Sequence, residues 1–206
     1  MKTLSALLFA TLLLGFASCS KDTEEINSVT APLIVTSFQK YMLDEINFAR
    51  TNPTGYAELR LKEAYSSGAD NGSYLYLTNL TAVGSVGFNS ALNLAAQNYT
   101  AFLAEKNLAE HNADGTPLKR ALRAGYTGSS TGENLVIASA NNYNAIINPQ
   151  IAAISFVKVM IIDEGVADLG HRIVLLNTKY RTVGIGFTQN SSTPALNYVV
   201  QDFGNE

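Results

Sequence analysis

Residues 182–203, TVGIGFTQNSSTPALNYVVQDF, decide the fold class. Thr182 to Thr188 and Leu196 to Phe203 read as strands. Asn190-Ser191-Ser192-Thr193-Pro194 between them has turn chemistry, so the pair forms a hairpin. Upstream, the periodicity is helical. Leu92, Ala95, Ala96, Tyr99, Phe102 and Leu103 lie on one face of a helix that begins near Ser90, with Phe88 placed to pack back over its start. Thr36 or Ser37 caps an earlier helix carrying Phe38, Met42, Ile46 and Ala49, and Asn52-Pro53 stops it. Helices first and strands late predict an α+β fold rather than alternating units around a parallel sheet.

Between these landmarks, residues 66–87 are rich in Ser, Gly and Asn and read as a long loop with at most a short strand at Tyr74-Leu75-Tyr76-Leu77. Thr116-Pro117 opens a short helix that Gly125 closes, and its three bases, Lys119, Arg120 and Arg123, read as a solvated face. An apolar, strand-like run follows Gly132. Asn148-Pro149 opens a helix over Ile151 to Ile162 that is apolar almost all round and therefore read as buried. A short helix after Gly170 holds Ile173 to Leu176.

The 206 residues are 47% hydrophobic and 15% charged, which excludes a wholly disordered, collagenous or coiled-coil chain. A net charge of −3 supplies no electrostatic footprint for nucleic acid. The single cysteine excludes an intrachain disulfide and any multi-cysteine metal site. Lys2 followed by the uncharged run Leu4 to Ala17 is a secretory signal, too short for the about 20 residues of a bilayer span. Gly15-Phe16-Ala17-Ser18-Cys19 resembles a bacterial lipobox, with Phe16 in place of the usual leucine. That resemblance implies a signal peptide over 1–18, a lipidated Cys19, a polar tether over 19–35 and a folded domain over 36–206. The acidic opening of the tether, Ser20 to Glu25, is similar to the surface-export signal of some Gram-negative lipoproteins. The expected location is the outer membrane or cell surface of a bacterium, with the membrane reached through the lipid anchor only.

Two histidines stand out. His111 lies just beyond a helix end and His171 at a helix start, where the macrodipole favours the neutral, metal-binding imidazole. Glu133 sits between a Gly/Ser/Thr loop and an apolar run. Asp163-Glu164 ends an apolar helix, where carboxylates oppose the macrodipole, so a histidine or a metal has to account for them. Two imidazoles and two carboxylates from separate segments suit a borderline cation such as zinc. Taken singly, each residue reads better as a satisfied surface histidine or a solvated acid. Gly128 to Gly132 also satisfies G-x-S-x-G, with Ser130, Asp163 and His171 in α/β-hydrolase order, but that elbow needs a strand before it and a helix after it. H-E-x-x-H is absent. A third reading is an adhesive module in which Tyr74, Tyr76, Tyr126 and Tyr143 make the contacts.

His111, Gly132-Glu133-Asn134-Leu135, Gly170-His171-Arg172 and Val183-Gly184-Ile185-Gly186 together resemble the CAP superfamily of cysteine-rich secretory and SCP-like proteins. Ile46-Asn47-Phe48-Ala49-Arg50 is similar to the asparagine-and-arginine ending of the family's first helix, and Ile162 to Val166 to a bacterial and fungal variant of its third motif. The resemblance runs from about residue 38 to residue 204. It implies an α-β-α sandwich with a small antiparallel sheet flanked by helices, and a cleft holding a divalent cation, Zn or Mg, on His111, Glu133, Glu164 and His171, with Asp163 the alternate to Glu164. Phe156 falls at the place of the family's tryptophan, and the usual disulfides are absent. The implied partners beyond the cation are a lipid, a glycan or a host or cell-surface protein. No single reaction unites the family, so an enzymatic role stays open.

Overall fold

The computed structural model describes residues 35–206. The signal peptide, the lipidation at Cys19 and the tether up to residue 34 lie outside the described residues. Helix α1 spans Ser37–Thr51. Thr36 starts it with a capping box, its hydroxyl accepting from the Gln39 N–H while the Gln39 carboxamide accepts from the Thr36 N–H. Phe38, Met42, Ile46 and Ala49 are all buried, as their spacing requires. Helix α2 (Pro53–Tyr56) continues through a π-turn at Ala57–Leu61 into α3 (Lys62–Ser66).

The stretch expected to be a long loop contains a helix, α4 (Ser73–Thr78). The Asp70 carboxylate accepts from the backbone N–H groups of Gly72 and Tyr74, which holds the turn that starts it. Tyr74 and Leu77 then reach the core. Burial of those two side chains selects a helix that local propensity leaves undecided.

Strand β1 (Gly87–Phe88), helices α5 (Ser90–Lys106) and α6 (Pro117–Arg123), strand β2 (Thr131–Ser139), helices α7 (Pro149–Ile162) and α8 (Gly170–Leu175), and strands β3 (Thr182–Gln189) and β4 (Leu196–Gly204) complete the described chain. The sheet order is β1-β3-β4-β2, antiparallel except for the two-residue β1, which pairs parallel with β3. The sheet is therefore mixed, with an antiparallel body formed by the hairpin and β2.

Side-chain alternation along β3 and β4 separates two helical layers. Val183, Ile185, Val199 and Phe203 pack in one cluster with Phe38 and Met42 of α1 and Phe156 and Met160 of α7. Tyr198 and Val200 pack on the other face with Ala96, Tyr99 and Leu103 of α5. A Cβ at Gly184 would collide with the α5 backbone at Leu92 and Asn93, and one at Gly186 with the backbone at Ala96. The two glycines let α5 lie directly on the sheet. The result is an α-β-α arrangement within an α+β fold. The fully buried expectation for α7 needs correction, because Ile151 and Val159 are exposed. α7 is covered by α1, α8 and the sheet, and its remaining face is open.

Arg50 ends α1 and is 0% exposed, without a carboxylate beside it. Its guanidinium donates to the carbonyls of Gly84 (2.8 Å), Leu175 (2.7 Å), Asn177 (3.1 Å) and Tyr180 (3.2 Å). Burial lowers its pKa to about 10, so it is still a cation at neutral pH. Asn47, one turn earlier, exchanges two hydrogen bonds with the Val86 backbone at 2.9 and 2.8 Å. These two side chains replace secondary structure as the partners of two connections, α4 to β1 and α8 to β3. Arg50→Lys keeps the charge and loses the fork, so urea denaturation is expected to show a loss of about 3 kcal/mol or more. A loss below about 1 kcal/mol would mean that the loops hold themselves.

Candidate functional site

Strand β2 builds the site with three successive residues. Glu133 points toward the α5 side, in register with Asp202 of β4. Asn134 points to the other face, where its amide donates to the His171 carbonyl at 3.1 Å and to Gln201 Oε1 at 3.2 Å. The Leu135 carbonyl lies 3.2 Å from His171 Nε2.

The two imidazoles are each backed by a buried acid. His111 Nδ1 is 2.8 Å from Glu133 Oε1, and His171 Nδ1 is 2.6 Å from Asp163 Oδ1. Asp163, at the C-cap of α7, has φ 58°, and Leu169, before α8, has φ 53°. Both ends of the connection between α7 and α8 are thus left-handed, a conformation that Asp tolerates and Leu adopts at some cost. That turn sends the Asp163 carboxylate inward, where Oδ2 also accepts the Arg172 N–H at 3.2 Å. Glu164 is turned out and exposed. The acid on the His171 imidazole is Asp163, the alternate to Glu164, while Glu164 borders the apolar cavity beside it.

Arg172 closes this side. Its guanidinium donates to the Ile161 carbonyl (2.6 Å), the Ile162 carbonyl (3.0 Å), Ser73 Oγ (2.6 Å) and Asn71 Oδ1 (3.1 Å). The acid–imidazole pair is thereby tied to the start of α4 as well as to α7 and α8.

On the other side, Arg120 is 3% exposed, so the solvated reading of the α6 bases is corrected for this residue. It is ion-paired with Glu133, donates to the carbonyls of His111 (2.9 Å) and Gly115, and lies 3.4 Å from the Tyr99 ring centroid. A glutamate directly before an apolar strand run is the sequence signal for such a buried base. Asp202 is the other residue that the sequence did not single out. Burial, then the Glu133 carboxylate opposite, push its carboxyl well above the usual carboxylate range. A neutral acid there avoids two like charges in directly opposed strand positions.

His111 and His171 line one small cavity of about 190 Å³ with Glu133, Asp168, Val166 and Val174. Beside it lies an apolar cavity of about 330 Å³ formed by Val159, Ile162 and Val166, with His171, Asp163 and Glu164 at its edge. Among the described residues, no three histidine, cysteine, aspartate or glutamate side chains are grouped closely enough to hold a metal ion. The acids stand behind the rings. Carboxylates on Nδ1 are the outer-shell partners of a metal-bound imidazole, so the donors left for a cation are the two Nε2 atoms. In the structure His171 Nε2 faces the Leu135 carbonyl, so a cation would have to take that nitrogen from it. The set suits a cation held by two imidazoles and completed by water, and does not suit a closed four-ligand zinc site.

The serine arrangement does not form. Gly128 to Gly132 leads into β2, not into a helix, and Ser130 bonds through its N–H to Asn205. Neither His171 nitrogen is aimed at Ser130, since their partners are Asp163 and Leu135. Of the four tyrosines considered for surface contact, Tyr74 and Tyr126 are buried, while Tyr76 is exposed and Tyr143 half-buried.

The family model for cysteine-rich secretory proteins (CAP) matches residues 43–203. Among solved structures, the chain is similar to an extracellular protein containing an SCP domain from Bacillus anthracis str. Ames. The identity is 20% and the TM-score 0.43, over 60% of this chain and 35% of that one. It is also similar to an outer surface protein from Borrelia burgdorferi, at 17% identity and TM-score 0.48 over 84% of this chain and 97% of that one. The chain spans about a third of the Bacillus anthracis protein. No curated protein sequence matches it.

The Glu133 hydrogen bond, outweighing burial, raises the His111 pKa above its ordinary value. A raised folded-state value means that this contribution to stability is complete below about pH 6.5 and is lost as pH rises through the raised value. In chelator-treated samples, the stability difference between wild type and His111→Gln is expected to be largest near pH 5.5 and to shrink by pH 8, read by urea denaturation. A difference independent of pH would contradict the pairing.

Proposed function

The chain belongs to the cysteine-rich secretory protein (CAP) family, and from that premise we propose an extracellular, lipid-anchored ligand-binding domain whose cleft takes a divalent cation on His111 and His171. The observation that carries this reading is the convergence of both imidazoles on one cavity, each with a buried carboxylate on Nδ1. Such backing fixes the ring orientation and raises the basicity of Nε2. Secretion is supported by the basic, apolar and small-residue order of residues 1–19, and anchoring by Cys19 at the end of that run.

Zinc suits imidazole donors better than magnesium, which prefers oxygen ligands and keeps its water. With two protein donors, binding is expected to be weaker than at a structural zinc site and to strengthen as pH rises, because a ligating Nε2 must give up its proton. When bound, such a cation polarises a carbonyl or activates water. Glu133 and Asp163 hold the rings, while the Arg120 guanidinium and the Arg172 backbone N–H hold the acids. The neighbouring apolar cavity gives the ligand a place for an aliphatic group beside His171.

Calorimetric titration of residues 33–206 with zinc tests the reading. One equivalent should bind to the wild-type domain and be lost in both His111→Ala and His171→Ala. Asp163→Asn keeps the shape but weakens the buttress, and is expected to lower affinity by about 10–100-fold. Failure of the folded wild-type domain to bind zinc, or loss of binding in one histidine variant only, would overturn the shared site.

A further inference from the structure

Three isoleucines beside the start of α7 are among the most exposed apolar side chains of the described residues: Ile146 at 64%, Ile147 at 72% and Ile151 at 65%. They are held out by construction. Asn144 fixes the turn, its side-chain oxygen accepting the Ile147 N–H at 2.8 Å and its carbonyl accepting the Asn148 N–H at 2.8 Å. Ala145 anchors the turn in the core, which leaves Ile146 and Ile147 facing outward. Tyr41 of α1 adjoins Ile147 and Ile151 across a shallow cavity of about 250 Å³.

The segment that carries the three isoleucines has no charge, and the exposed ions beside Tyr41, Lys40 and Asp44, pair with each other. No charged residue occurs between Glu133 and Lys158, and the cavity is completed by Asn148, Pro149 and Gln150. A rim of amides and tyrosine around aliphatic side chains suits the interfacial layer of a bilayer, where aromatic and amide groups sit at headgroup level. Three isoleucines offer at most a few hundred Å² of apolar surface. A stable interface with a second copy needs roughly 800 Å² from each partner.

The described domain also begins near this surface. Tyr41 lies about one helical turn from Ser37, where α1 begins. Cys19 is roughly 16 residues before Val35, so the domain cannot lie further than about 60 Å from a lipid on that cysteine. We propose that the surface of Ile146, Ile147 and Ile151 docks on the lipid bilayer to which the chain is anchored. The proposal rests on the lipid-anchor reading of Cys19. Docking there would seat the domain on the lipid instead of leaving it suspended from the tether, and would hold the cleft at a fixed height above the bilayer.

The test uses the full chain, made with its leader, purified from membranes and reconstituted in vesicles of phosphatidylethanolamine and phosphatidylglycerol. An environment-sensitive fluorophore is attached at Ile147→Cys and, in a separate sample, at Ser130→Cys, just before the start of β2, a strand roughly 30 Å long that leads toward the isoleucine turn. The lipid-modified Cys19 thiol does not react with the label. The probe at 147 should be blue-shifted and quenched by aqueous iodide at least about fivefold less than the probe at 130. Ile146→Asp with Ile151→Asp, both at exposed positions, should abolish that protection. Equal quenching at the two sites of a membrane-bound chain overturns the docking surface while leaving the anchor intact. So does protection at 147 that appears in detergent-free, lipid-free protein as concentration rises, because a second copy is then the occupant. A chain absent from the membrane fraction overturns the anchor instead. The same probes are then read in a Cys19→Ser background with vesicles added, where protection at 147 supports the surface and exposure overturns it.

Discussion

A carboxylate removed from water has to be paired, and the burial of Glu133 and Asp163 organises the described domain. Glu133 opens an apolar strand and is met by Arg120 from α6 and His111 from the loop after α5. Asp163 ends an apolar helix and is met by His171 and the Arg172 backbone at the start of α8. Each pairing recruits another element. Arg120 adds the carbonyls of the His111 loop, and Arg172 adds Ser73 and Asn71 at the start of α4. Removing one partner of such a pair leaves an uncompensated buried charge, which costs more than the pair itself contributes. The loops around the cleft are ordered for that reason rather than by secondary structure of their own.

Strand β2 lets one short segment serve both halves. Alternation sends Glu133 to the α5 face and Asn134 to the α1–α7 face, while the Leu135 carbonyl meets His171 from the strand edge. A one-residue slip of β2 against β4 would exchange the faces of Glu133 and Asn134 and break both acid–imidazole supports. The register is fixed from within the hairpin. Gly184 and Gly186 admit α5, and Asp202 tolerates its position opposite Glu133 because burial and that carboxylate favour its neutral form. His111, Glu133, Asn134 and His171 all lie within residues 43–203, the span that the family model matches.

Much of this was legible in the sequence because it depends on local periodicity. The stripe of Phe38, Met42, Ile46 and Ala49, the face of α5 and the closing hairpin are repeats of one residue class at one spacing. Helix α4 was not legible, because its selection comes from Tyr74 and Leu77 reaching a core built by distant segments. Arg120 was misread for a related reason: composition marks a base as solvated, and only the strand carrying Glu133 shows otherwise. The choice between Asp163 and Glu164 turned on a single left-handed residue, which no pattern of apolar positions records. His111 and His171 were found as the only two histidines of the chain, but their acids were expected as co-ligands and stand behind the rings instead.

With two histidines in the chain, a nitrogen-15 spectrum of the imidazoles contains two ring systems and no others. Following it during zinc addition tests most directly whether one cation is shared by two buttressed rings. The expected result is that both Nε2 resonances shift in parallel with a common midpoint while both Nδ1 atoms stay protonated against Glu133 and Asp163. Movement of one ring only, or zinc on Nδ1, would contradict it.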